Sequence, residues 1–150
     1  KMNTSFFRIN WVLVEELALG PSPKNKDNLK LLHSYGIKNV ISLCDPNELD
    51  LINDLEEQFN FISYPLPDHR DKRKPRLEDI HNILDCIKEK KHFGPTYVHC
   101  FAGIERSPLV CISWLIRECS FDLETSLQYI MKINPRTCPL DYQINILKDL

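Results

Sequence analysis

The sequence predicts an α/β fold, with a single central, mostly parallel sheet flanked by helices. Three observations predict it. Short apolar runs rich in β-branched or aromatic residues (NWVLV, KNVISLC, FNFISYPL, TYVHC) alternate with longer segments of helical period. Glycine and proline punctuate the boundaries between them. The chain has 150 residues, enough to bury one sizeable core, so residues 1–150 are expected to form one domain.

The elements follow in order. Residues 10–14 and 16–19 read as two short strands meeting at an acidic turn, and Gly20-Pro21-Ser22-Pro23 breaks the chain. Residues 25–35 space Leu29, Leu31, Leu32 and Tyr35 as a helix does, with Gly36 where a helix C-terminus wants it. Residues 38–44 form a buried strand. Asp45-Pro46-Asn47 then starts a helix carrying Leu49, Ile52 and Leu55 on one face, and residues 59–66 alternate as a strand. A strongly basic loop covers residues 65–75. Residues 77–91 place Leu77, Ile80, Ile83, Leu84 and Ile87 on one helical stripe, ended by Gly94-Pro95. Residues 96–100 are a strand. Residues 107–119 are apolar almost all round and read as a buried helix. Asp122 caps the next helix, Pro135 stops it, and residues 139–150 form a last helix in which Asp141 and Gln143 are structural.

Composition excludes several function classes. The net charge of −2 gives no whole-surface affinity for nucleic acid or membrane. No apolar run reaches the roughly 18 residues of a membrane span. The opening KMNTSFFRINW lacks the apolar core of an export signal, so a cytoplasmic protein is expected. Six cysteines occur (Cys44, Cys86, Cys100, Cys111, Cys119, Cys138), with no CxxC pair, and they read as reduced thiols. Histidines do not join them at metal-ligand spacing, so neither a metal nor another cofactor is expected.

The stretch VHCFAGIERSP carries the chemistry. A buried strand ends at Cys100, a tight loop follows, and a buried helix starts near Arg106. Ligands in α/β sheets bind at the carboxyl ends of strands. A loop entering a helix N-terminus aims several backbone N–H groups at one spot, where the helix dipole also favours an anion. Phe101, Ala102, Gly103, Ile104 and Glu105 would form that cradle. Gly103 permits the tight turn, and Arg106 adds a planar fork matching two phosphate oxygens. The same field favours the thiolate of Cys100, the form that attacks. Attack on a phosphoryl group gives a phosphocysteine that water hydrolyses. Ser107 is placed to donate a hydrogen bond to the departing sulfur.

The HC-x5-R-S pattern of His99, Cys100, Arg106 and Ser107 resembles the signature of the cysteine-based protein phosphatases. The rest of the chain resembles their small dual-specificity branch, from NWVLVEELALG through VISLC, YPLPD and YVHC to SWLIRECSFDLETSLQYI and the closing helix. The resemblance implies metal-independent hydrolysis of phosphotyrosine and phosphoserine or phosphothreonine. It implies a general acid on an upstream mobile loop, for which Asp68 in YPLPDHR is the candidate and Asp71 the rival. It implies that His99 holds the loop by hydrogen bonds and helps set the thiolate.

The expected partner is a phosphorylated protein or peptide. The basic residues Arg70, Lys72, Arg73, Lys74 and Arg76 could steer it. YPLPDH and SLC also resemble tensin-like phosphoinositide phosphatases, which carry lysines inside the catalytic loop. Here the loop interior has none, and Glu105 discourages a highly charged head group. Inositol lipids are therefore the alternative, along with RNA 5′-triphosphates or a binding module without turnover. Sulfurtransferases and arsenate reductases also place a cysteine in an anion loop, but the pairing of HC and RS with an upstream aspartate favours a phosphatase. The tensin-like resemblance also implies a redox partner for Cys100, namely Cys44 at the end of VISLC.

Overall fold

The computed structural model describes residues 6–150. The first five residues of the opening, on which part of the export reading falls, lie outside the described residues. The chain builds β1 (Asn10–Leu13), β2 (Leu17–Pro21), α1 (Lys26–Ser34), β3 (Asn39–Ser42), α2 (Ile52–Gln58), β4 (Asn60–Ser63), α3 (Leu77–Lys90), β5 (Thr96–Cys100), α4 (Arg106–Cys119), α5 (Leu123–Ile133) and α6 (Asp141–Ile146). The sheet runs β1-β2-β5-β3-β4, with β1 antiparallel to β2 and every other pair parallel.

Residue alternation sorts the helices onto two faces. Leu17, Leu19, Ile41 and Val98 point to the side covered by Ile80, Ile83, Leu84 and Ile87 of α3, most of α4, and Ile130 of α5. Their neighbours Ala18, Val40 and Tyr97 point to the opposite side, against Leu29 and Leu32 of α1 and Leu55 of α2. A period of two in the strands thus meets a period near 3.6 in the helices. The central strand β5 is buried at every position, and it ends at Cys100.

Four expectations change. The strand β2 runs on through Gly20-Pro21, where a break was expected, and pairs Gly20 with His99 and Pro21 with Cys100. A Cβ on Gly20 would collide with the Arg8 carbonyl and the Tyr97 hydroxyl, so the glycine serves close backbone approach rather than a turn. Residues 45–58 are not one helix. Asp45 caps a short 3₁₀ turn, Pro46–Glu48, whose Glu48 reaches back to the Asp45 N–H at 2.8 Å, and the helix starts only at Ile52. Leu49 is extended there and does not join Leu55 in the core. The third change is strand length: residues 38–44 and 59–66 keep only four-residue strands, β3 and β4, the latter at the sheet edge. Pro65 and Pro67 lie two and four residues beyond the end of β4. Fourth, the last helix stops at Ile146 and tightens into a 3₁₀ turn, Leu147–Asp149.

Candidate active site

The parallel strands β2, β5 and β3 deliver their carboxyl ends to one edge, and the loop 101–105 crosses that edge into α4. Gly103 has φ +73°, and a Cβ there would stand 2.9 Å from the backbone of Gly20. Both the turn and the packing therefore require glycine. The loop's carbonyls are engaged from outside. Phe101 O accepts the Ser22 N–H (3.1 Å), Gly103 O accepts Asn134 Nδ2 (2.8 Å), and Ile104 O accepts the Cys138 N–H (2.8 Å). Among the described residues, the amides of 101–105 donate to no protein acceptor. A ring of unspent N–H donors beside a helix N-terminus is an anion cradle.

Cys100 is buried, at 2% exposure, with its Sγ 3.3 Å from Ser107 Oγ. Arg106, the first residue of α4, is buried as well. Its Nη1 donates to Leu43 O (3.2 Å) and Glu48 Oε1 (3.1 Å), and its Nη2 donates to Glu48 Oε2 (3.2 Å). Burial disfavours the charged form of Glu48, but the bonds from Arg106, from the Asp45 backbone and from Arg70 outweigh it and hold the carboxyl below its ordinary range. Glu48 is the site residue that sequence reasoning misses. The Asp45…Glu48 cap signals a turn, but nothing in the sequence aims the Glu48 carboxylate at an arginine 58 positions later.

The loop after β4 carries both acid candidates. Asp68 is nearly buried and stands 3.8 Å from Arg106 Nη2, whereas Asp71 is 40% exposed and turns to Arg73. Asp68 is the aspartate that enters the site. Arg70 grips it and also reaches Glu48 at 3.2 Å. His69 Nδ1 meets Glu105 Oε2 at 2.9 Å, and Glu105 Oε1 accepts Gln143 Nε2 at 2.8 Å. The last contact gives Gln143 of α6 a place in the support of the cradle. The basic loop is less basic than its composition suggests. Arg70, Arg73 and Arg76 pair with Asp68, Asp71 and Asp79, and Lys74 lies 5.0 Å from the centre of the Tyr142 ring.

His99 is fully buried, which pushes its pKa down to about 4 and keeps the ring neutral at pH 7. Its Nδ1 lies 3.4 Å from Cys100 O and 3.8 Å from Cys44 Sγ, so it acts on this strand end by contact and not by net charge. Cys44 follows β3, which is the parallel neighbour of β5. Burial pushes its thiol up to about 12, with Arg106 opposing, so it is protonated at rest.

A cavity of about 340 Å³ gathers Cys100, Phe101, Ala102, Ile104, Glu105, Arg106, Asp68, His69 and Arg70. A second cleft of about 550 Å³ adjoins it across Asp68, Arg70 and Arg106. Among the described residues no helix is long and apolar enough to cross a membrane.

Known proteins resemble both the fold and the sequence. The solved structure of Tk-PTP in the active form superposes with a TM-score of 0.82 at 21% identity, over 95% of each chain. PTPMT1 in complex with PI(5)P superposes with a TM-score of 0.78 at 19% identity, over 89% of this chain and 88% of that one. In sequence, the phosphatidylglycerophosphate phosphatase PTPMT2 of Arabidopsis thaliana is 29% identical over 128 residues, covering 84% of this chain and 56% of that protein. Human dual specificity protein phosphatase 5 is 33% identical over 63 residues, covering 42% of this chain and 16% of that protein. The chain thus spans little more than half, and often far less, of the length of such relatives. Residues 17–149 match the family model for the dual specificity phosphatase catalytic domain, and the chain belongs to that family.

Proposed function

We propose that the chain is one catalytic domain that hydrolyses phosphate monoesters of proteins through a phosphocysteine at Cys100. The observation that supports this best is the joint placement of Cys100, Arg106 and Asp68 on one cavity, with Ser107 at the sulfur. The phosphoryl oxygens lie against the amides of 101–105 and the free N–H groups of Arg106. Cys100 Sγ attacks phosphorus as the P–O ester bond breaks, and Asp68 gives its proton to the leaving oxygen. Water then displaces the sulfur, Asp68 takes the proton of that water, and Ser107 donates a hydrogen bond to the departing thiolate. Preorganised donors aimed at the equatorial oxygens supply most of the rate.

Protein substrates fit the cradle best. Phe101, Ala102, Gly103 and Ile104 bring no cation to the loop, and Glu105 brings a carboxylate. A monophosphorylated residue needs only the backbone donors and Arg106. The likeness to a phosphatidylglycerophosphate phosphatase over 84% of the chain supports a second reading, hydrolysis of a lipid phosphate monoester. Parallel assays separate the two. Phosphotyrosine and phosphothreonine peptides should be turned over at kcat/KM at least about tenfold above dispersed phosphatidylglycerophosphate or a phosphoinositide, and the reverse order would establish the lipid reading. We also propose Cys44 as the thiol that traps oxidised Cys100. Peroxide treatment followed by mass spectrometry without reductant should yield a Cys44–Cys100 linked peptide. Over-oxidised Cys100 beside an untouched Cys44 would remove that role.

A further inference from the structure

An acid must carry a proton, yet every side-chain hydrogen bond of Asp68 is one that it accepts. Its Oδ1 takes the backbone N–H of Arg70 (2.9 Å), and its Oδ2 takes Nε (2.8 Å) and Nη2 of the same arginine. The other groups facing Asp68 come from four places. Arg106 of α4 stands at 3.8 Å, Glu48 of the turn after β3 shares Arg70 Nη2, Tyr142 of α6 feels the Asp68 charge, and Cys100 lies in the same cavity. On its own loop His69 turns away to Glu105, and Asp71 gives its backbone N–H to the Asp68 carbonyl. Burial disfavours the Asp68 carboxylate, but the Arg70 side chain, the Arg70 backbone N–H and Arg106 outweigh it and hold the carboxyl below its ordinary range.

Arg70 is built to let go. Its side chain is 64% exposed while that of Asp68 is 11% exposed, and it lines both the cavity of Cys100 and the outer cleft. A phosphoryl group above Cys100 would enter a cavity that Arg70 also lines, beside the Asp68 carboxyl that the Arg70 fork holds. A phosphate dianion offers that fork more charge and more acceptor oxygens than one carboxylate does.

We propose that Arg70 is an anion-responsive positioning residue, which holds Asp68 as a carboxylate in the free enzyme and exchanges it for the phosphate dianion of an entering substrate, so that Asp68 takes up the proton it will donate. That proton comes from solvent, leaves on the alcohol or phenol, and is replaced from the attacking water. The proposal rests on Asp68 as the general acid.

The pH dependence of kcat/KM reports groups in the free enzyme, and that of kcat reports groups in the complex. Both profiles are measured with phenyl phosphate for the parent, Arg70→Ala, Arg70→Lys and Asp68→Asn. Arg70→Ala should move the basic limb of kcat/KM to higher pH by about one unit, the size expected for loss of an adjacent cation. The basic limb of kcat should move by less than half as much, because Arg70 has already left Asp68 in the complex. Arg70→Lys should fall between. Equal displacement of both limbs means that Arg70 stays on Asp68 throughout, and overturns the exchange. No displacement, or a uniform fall in kcat at every pH, makes Arg70 a scaffold residue and overturns it too. If Asp68→Asn loses the basic limb while Arg70→Ala leaves it unmoved, only the Arg70 proposal fails. If Asp68→Asn keeps the limb, the acid assignment fails first and the proposal with it.

Discussion

The loop proposed to cradle the anion and the loop proposed to carry the acid are held by opposite means. Residues 101–105 are tied through three of their carbonyls, turn at a glycine no larger residue could replace, and lie between buried β5 and buried α4. Residues 67–76 are tied by side chains, chiefly the Arg70–Asp68 ion pair and the His69–Glu105 hydrogen bond, whose Arg70 and His69 side chains are 64% and 60% exposed. Backbone ties in a dry setting are stiff, whereas exposed ion pairs are weak and weaken further with salt. The difference teaches which half of the chemistry is preorganised. Oxygens must meet donors that do not reorganise, while the acid must admit substrate and change its protonation state.

Changes in the stiff loop should cost most. Cys100→Ser should abolish turnover, by at least about 10⁴-fold, because a serine hydroxyl is not ionised there. Binding of vanadate or phosphate should survive, since the amides and Arg106 remain. Hydrolysis within tenfold of the parent would show that the cradle's sulfur is not the nucleophile.

Arg106→Lys should lower kcat/KM by about 10²–10³, the cost of one comparable transition-state donor. Lysine is a point charge and cannot hold Glu48, Leu43 and phosphate at once. Steady-state kinetics within about threefold of the parent would contradict a rigid cradle.

In the loosely held loop the effect should depend on the substrate. Asp68→Asn should reduce kcat by about 10² for phenyl phosphate and far less for p-nitrophenyl phosphate, whose leaving group needs little protonation. Should Asp71→Asn show that dependence instead, the acid sits three residues further on, and the contact with Arg106 would be incidental.

The smallest effect on chemistry and the clearest on stability belongs to Glu48, which touches both loops. Glu48→Gln leaves the buried Arg106 without its hydrogen-bonded carboxylate, at a cost of about 2–3 kcal/mol, below the usual range for a fully buried pair because Glu48 is partly exposed and Asp68 still stands 3.8 Å away. The sign of the pH dependence follows from the lowered carboxyl. The parent keeps this stability in full above the ordinary glutamate pKa and loses it as pH falls through the lower folded value. Denaturant titrations from pH 7 to pH 3 should show the variant's deficit shrinking toward acid. A deficit independent of pH would mean that packing, not charge, is what Glu48 contributes.

The same contrast explains what the sequence made legible. Cys100, Arg106 and Ser107 are readable because a strand, a short loop and a buried helix fix their relation through the backbone alone. The helix stripes of α3 and α4 are readable for the same reason of period. Glu48 and Gln143 are not, because each meets its partner through a side chain that crosses from another element. The helix expected to start at Asp45-Pro46-Asn47 fails on the same account: the spacing of Leu49, Ile52 and Leu55 suits a helix, but the Asp45 cap and Pro46 build a turn that gives Glu48 to Arg106. Composition overstated the basic loop, since spacing along the chain does not show that three arginines fold onto neighbouring aspartates.

The most direct measurement is the covalent intermediate itself. Ser107→Ala removes the hydroxyl 3.3 Å from Cys100 Sγ and should slow breakdown of the phosphoenzyme more than its formation. The variant is mixed with p-nitrophenyl phosphate, quenched in acid within milliseconds and digested for mass spectrometry. The expected result is a burst of p-nitrophenol and one phosphoryl group on the peptide containing Cys100, located at the sulfur. Continued turnover with phosphate on another residue, or with no phosphorylated peptide and no burst, would contradict it.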